Sequence, residues 1–224
     1  MNFDVADAAL WVLPVLFSVV CHEYAHGRVA LKYGDDTASR MGRLTLNPLA
    51  HIDPVGTVLM PAMLFAIGSP FLFGYAKPVP ISWQRLRNPA RDMVYVAAAG
   101  PAMNFALAAL SAVLLGVLVG RADYGFALDD QSFAMARPLA IMAQRSMLIN
   151  VVLGVFNLLP IPPLDGGRVA VGLLPAGPAT ALARLEPFGF LVVFGLLATG
   201  TLSIILGPMV FGIIELLRFM VGLG

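Results

Sequence analysis

From Met93 to Gly120 the chain runs for 28 residues without one charged side chain. A water-soluble helix of that length needs a polar face, whereas about 20 predominantly apolar residues cross the hydrocarbon core of a bilayer. Four further regions share the pattern. Val5–Tyr33 is largely apolar until its last turns, which begin Cys21-His-Glu-Tyr-Ala-His26. Pro54–Ala76 is uncharged but broken by Pro61, Gly68 and Pro70. Leu139–Leu159 carries one charge, Arg145. Pro187–Ile214 has room for one bent helix, or for two shorter ones turning near Thr199-Gly-Thr201, and Gly207-Pro208 is another break. Of the 224 residues 59% are apolar and 12% charged, against about 45–50% and 25% in soluble domains. Mean hydropathy is +0.85. This balance excludes a disordered chain, an ordinary soluble enzyme and a nucleic-acid binder with a basic stripe. It predicts an all-α, polytopic protein of the lipid bilayer with about five or six helices.

Residues 1–224 read as a single domain, with no internal repeat and no long polar stretch. The net charge of +1 provides no field to steer anionic partners. Cys21 has no second cysteine to pair with. The opening residues lack the positive region of a cleaved leader, so the first apolar stretch is expected to be retained. Orientation follows from Lys and Arg in short loops, which favour the cytoplasm. Arg28 and Lys32 close the first stretch, Arg40 and Arg43 follow it, and Lys77, Arg85, Arg87 and Arg91 precede the third. The N-terminus and the loop holding Asp123, Asp129 and Asp130 are acidic. Both flanks of Pro54–Ala76 are therefore expected on the cytoplasmic side, and residues 54–80 are expected to form a re-entrant or short β-like element. Irregular backbone at membrane depth is tolerated where protein or a wet cavity covers it.

The chemistry concentrates at the polar end of the first stretch. His22-Glu23-Tyr24-Ala25-His26 is an HExxH sequence. On a helix, residues four apart share a face, so two imidazoles can grip one Zn²⁺ at about 2.0–2.1 Å. Glu23 sits about 100° round the helix, where it can act as general base without being a ligand. Two histidines and a glutamate on an apolar helix are costly unless they pair or bind something. A catalytic zinc takes three protein ligands and keeps one open position. The remaining inventory is short: His51, Glu186, Glu215 and the aspartates. Asp165 stands out in Asn157-Leu-Leu-Pro-Ile-Pro-Pro-Leu-Asp165-Gly-Gly-Arg168, where prolines break the helix and glycines permit close backbone approach. Its bland role is to start the following helix, which is compatible with ligation. Asp165 reaches the His26 side only after an even number of crossings. The third and fourth stretches supply two if Pro54–Ala76 does not cross.

These motifs resemble the site-2 protease family of intramembrane zinc metalloproteases. HExxH at 22–26, Gly100-Pro-Ala-Met-Asn104, and Asn157-x-x-Pro160-x-x-x-x-Asp165-Gly166 resemble the family's three elements in order along the chain. Asn47-Pro-Leu-Ala-His-Ile-Asp-Pro-Val-Gly56 and Phe73-Gly-Tyr-Ala-Lys-Pro-Val-Pro80 resemble its compact bacterial and archaeal branch, which lacks PDZ domains. The resemblance covers about residues 10–215. It implies one Zn²⁺ per chain held by His22, His26 and Asp165, with Glu23 activating water. It implies that Asn104 and Asn157 contact substrate or steady the site, and that Phe73–Pro80 holds the substrate extended. The residues give His51 a structural or supporting role. The implied function is endopeptidase cleavage of a transmembrane protein substrate near the cytoplasmic face of a bacterial or archaeal cell membrane. Three rivals are weaker. A different HExxH protease would take a glutamate as third ligand, but Glu186 and Glu215 lack the expected context. A di-iron oxidase needs more than three histidines. A non-catalytic metal-binding scaffold or transporter would not depend on Glu23.

Overall fold

The computed structural model describes residues 5–66, 76–123 and 130–223. The described residues are helical or irregular, with no strand among them. Among the described residues nine α-helices follow in order: α1 (Val5–Lys32), α2 (Thr37–Arg40), α3 (Met60–Ala66), α4 (Pro89–Asp123), α5 (Asp130–Asn157), α6 (Asp165–Leu173), α7 (Ala176–Ala183), α8 (Gly189–Ala198) and α9 (Thr201–Met220). Four apolar helical stretches among them are long enough to cross a membrane: Pro89–Val119, Ala136–Asn157, Ala176–Ala198 and Thr201–Met220. The protein is an integral membrane protein built from helices.

The region expected to be re-entrant or β-like is helical where it begins. A π-helical turn, Pro54–Leu59, leads directly into α3. Asp53 starts it by accepting the Val55 and Gly56 N–H groups at 3.0 and 2.7 Å, with Pro54 pre-set at the first position. Residues 67–75, including Phe73 to Tyr75, lie outside the described residues. From Ala76 to Ser82 the chain is non-helical and carries no strand pairing. The apolar C-terminal region divides into two helices. The division falls at Thr199-Gly200, with Gly200 in the left-handed region at φ 72°.

α4 is the central helix, packed on α1, α5 and α6, and α5 also contacts α1 and α9. Pro89 opens α4, and the Asp92 carboxylate accepts the Asn88 N–H at 2.8 Å. The α4–α5 seam is made of small and medium side chains, including Ala108, Ala112, Ala143, Val151 and Val155. Small residues allow close helix approach where lipid provides no hydrophobic drive. Side-chain pairings set the helix directions. His22 meets Asn104 and His26 meets Val96, so α1 and α4 run opposite ways. Asn104 meets Asn150 and Ser111 meets Ser146, so α4 and α5 do too. α5 therefore ends at the same pole as α1, and the loop after it leads to Asp165.

Candidate metal centre

α1 carries His22 and His26 one turn apart on its α4-facing side, both buried. Their rings meet edge-on, with centroids 4.6 Å apart. Gly100 of α4 makes the fit. A Cβ there would fall 2.4 Å from His26 Nε2 and 2.6 Å from His22 Nε2. The absent side chain of Gly100 is thus the space the imidazoles use.

Asp165 arrives from the other side as the first residue of α6, with Leu164 before it as the cap. It is a helix-starting residue whose carboxylate faces away from its own backbone donors. Gly166 and Gly167 press on the preceding turn. A Cβ on Gly166 would meet the Leu158 carbonyl oxygen at 2.2 Å, and one on Gly167 the Pro162 nitrogen at 2.2 Å. The result is a triangle of ligand atoms. His22 Nε2 and His26 Nε2 are 3.0 Å apart, and Asp165 Oδ2 lies 3.1 and 3.3 Å from them. These three residues are the metal-capable group found among the described residues.

Zinc fits this donor set. Tetrahedral bonds of about 2.0–2.1 Å separate neighbouring donors by about 3.3–3.4 Å, close to the spacing here. Protonation points the same way. His26 Nδ1 lies 2.7 Å from the Val96 carbonyl, which can only accept, so Nδ1 donates and, in the neutral ring, Nε2 keeps its lone pair. His22 Nδ1 lies 2.6 Å from Asn104 Oδ1. Asp165 Oδ2 is buried without a hydrogen-bond partner. Such converging lone pairs repel unless a cation sits between them.

Glu23, one residue from the first ligand, is half-buried and lines the same cavity of about 580 Å³. Its Oε2 accepts the Val79 N–H at 2.7 Å. The non-helical segment 76–82 is thereby strapped over the site. Arg43 Nη2 donates to the Lys77 and Pro78 carbonyls at 2.9 and 3.3 Å. The Lys77 N–H donates to the His51 carbonyl at 2.9 Å, and the Ser82 N–H to buried Asp35 at 2.6 Å. His51 is therefore away from the triangle, with Nε2 on the Thr45 carbonyl at 2.9 Å. Its backbone anchors the strap. Asn157 lines the cavity, with Nδ2 donating to the Leu153 carbonyl at 3.0 Å. Asn104 is fully buried behind His22 and does not face the cavity. Glu186 and Glu215 pair with Arg168 and Arg218 instead. Two residues escaped the reading of the sequence. Asp35 looks like an ordinary loop acid, and Asn150 like an ordinary helix-packing amide; what each does depends on which element faces it.

Comparison with known proteins agrees with this centre. The model of peptidase family M50 matches residues 128–198. The chain is 38% identical to "Putative zinc metalloprotease YwhC" of Bacillus subtilis, over 88% of this chain and 84% of that protein. It is 34% identical to Rip2 of Mycolicibacterium smegmatis, over 84% of this chain and 66% of that one. It is 29% identical to Rip2 of Mycobacterium tuberculosis, over 88% and 71%. No solved structure matches the chain. Identity at this level, sustained over most of the length of a relative named as a zinc metalloprotease, makes the chain a member of peptidase family M50, the site-2 proteases, and a zinc-dependent metalloendopeptidase.

Proposed function

We propose that this protein is a single-domain intramembrane endopeptidase that cleaves a peptide bond within or beside a transmembrane segment of another protein, near the cytoplasmic face of a bacterial membrane. The observation that carries the reading is the buried triangle of His22, His26 and Asp165 at an open cavity between apolar helices. The cytoplasmic assignment rests on Arg40, Arg43, Lys77, Arg85 and Arg87, which belong to the loops at this pole.

The roles follow from chemistry. His22, His26 and Asp165 hold the ion, with the far nitrogens of both rings pinned by hydrogen bonds. Bound zinc supplies Lewis-acid polarisation of the scissile carbonyl and makes water acidic enough to attack near neutral pH. Glu23 takes the proton of the attacking water and delivers it to the leaving amine. The Val79 N–H anchors one of its oxygens and leaves the other for the proton. The strap 76–82 and the cavity wall at Asn157 hold a locally unwound substrate segment against these groups, since a helix hides its own peptide bonds. Hydrogen bonds to an extended backbone suit such a site.

Cleavage of a membrane-protein substrate in reconstituted vesicles tests the proposal. Glu23→Gln is expected to lower the rate about 10²–10⁴-fold with zinc retained. Asp165→Ala is expected to lose the zinc as well. Equal cleavage by wild type and Glu23→Gln overturns the catalytic role, and full zinc in Asp165→Ala overturns the ligand set.

A further inference from the structure

Behind His22 lies a chain of polar side chains that the hydrolytic step does not use. Asn104 and Asn150 are both fully buried, and Ser18 is as well. Asn104 Nδ2 lies 2.8 Å from Asn150 Oδ1. Asn150 Nδ2 lies 2.8 Å from Ser18 Oγ and 2.9 Å from the Ser146 carbonyl oxygen. Ser18 Oγ donates to the Pro14 carbonyl at 2.7 Å. Amides at this depth in a membrane protein are expensive unless fully paired, and here each finds partners on another helix.

The chain has one polarity. The Ser146 carbonyl can only accept, so the amide nitrogen of Asn150 faces it and Oδ1 faces Asn104. Asn104 must then present its nitrogen to Asn150 and its oxygen to His22. His22 Nδ1 must donate, and in the neutral ring Nε2 is left with the lone pair that points at His26 and Asp165. A main-chain carbonyl of α5 thus sets the tautomer of an imidazole on α1 through two amides.

We propose that Asn150 is a positioning residue for the metal centre: through Asn104 it locks His22 in the tautomer and orientation that offer Nε2 to the ion. This rests on the reading of His22 as a ligand. Partners of metal-bound histidines typically contribute 10–100-fold to metal affinity.

The test is zinc affinity of the purified full-length protein, by competition with a chromophoric chelator. Asn150→Leu is expected to weaken zinc binding about tenfold. Asn104→Leu is expected to weaken it at least as much, and the double variant no more than Asn104→Leu alone. Asn150→Asp, as a neutral acid, accepts from Asn104 and donates to the Ser146 carbonyl as the amide does, and is expected to stay within about threefold of wild type. Losses that multiply in the double variant overturn the proposal, as does wild-type affinity in Asn150→Leu or equal loss in the Asp and Leu variants. If Asn150→Leu does not fold, ¹⁵N resonances of metal-free wild-type protein decide. A proton on His22 Nδ1 supports the inference, and one on Nε2 overturns it. Undiminished zinc in His22→Ala instead overturns the ligand reading itself.

Discussion

α4 and α9 are both apolar enough to cross a bilayer, yet they have different surroundings. In the membrane-crossing stretches of α4 and α5, 28% and 33% of residues are buried inside the protein, against 11% in Ala176–Ala198 and 6% in α9. The buried pair carries Gly100, Asn104 and Asn150, and meets α1 where the histidines are. α9 exposes Ile204, Met209, Phe211 and Phe219. Hydropathy alone makes these helices equivalent, but a helix facing lipid needs only apolar surface, whereas one facing other helices must match shape and satisfy hydrogen bonds. The chemistry of this protein belongs to the helices that the protein itself surrounds.

Four substitutions sharpen or break that contrast. The largest effect is expected at Gly100→Ala, where one methyl would sit within 2.6 Å of both Nε2 atoms. Zinc affinity measured by chelator competition should fall at least about tenfold, and cleavage with it; unchanged affinity would mean that the imidazoles have another place to go. Next is Asp35→Ala, which cuts the strap at Ser82. A hydrogen bond to a buried carboxylate contributes about 1.5–3 kcal/mol, so cleavage in vesicles should drop roughly tenfold while zinc content stays constant. Loss of zinc here would place the strap inside the metal centre instead of above it. The smallest effect is expected on the lipid side. Ile204→Ala and Phe211→Leu, at 74% and 65% exposure, should change thermal stability by less than about 0.5 kcal/mol and cleavage by less than twofold. A large loss at either would show that α9 packs against something in the membrane.

Much of the centre was legible because its chemistry is local or constrained by counting. HExxH states its own geometry on a helix. Asp165 was legible because prolines and glycines around a lone acid in an apolar setting have few other purposes. The apolar stretches announced themselves by length, and the turn at Thr199-Gly200 by its glycine. The less legible parts depend on register between helices. Nothing around Gly100 tells that its missing side chain faces two imidazoles. Asn150 sits in an apolar run like any packing amide, and only the facing positions of Asn104 and Ser18 give it direction. The contact of Glu23 with Val79 spans 56 residues, and no periodicity encodes it. The π-helical turn after Asp53 was hidden for a different reason: its starting signal is the same Asp-Pro pair that begins an ordinary helix.

The Gly166–Gly167 pair has a practical consequence for anyone wishing to redesign this protein. Because those two residues rest on main chain and not on neighbouring side chains, the carboxylate beside them is mounted on peptide geometry alone. Libraries that vary Ile81 or Met93, which line the same cavity, can reshape the approach to the reaction centre without detuning its third anchor, while a single added methyl at either glycine shifts that anchor directly.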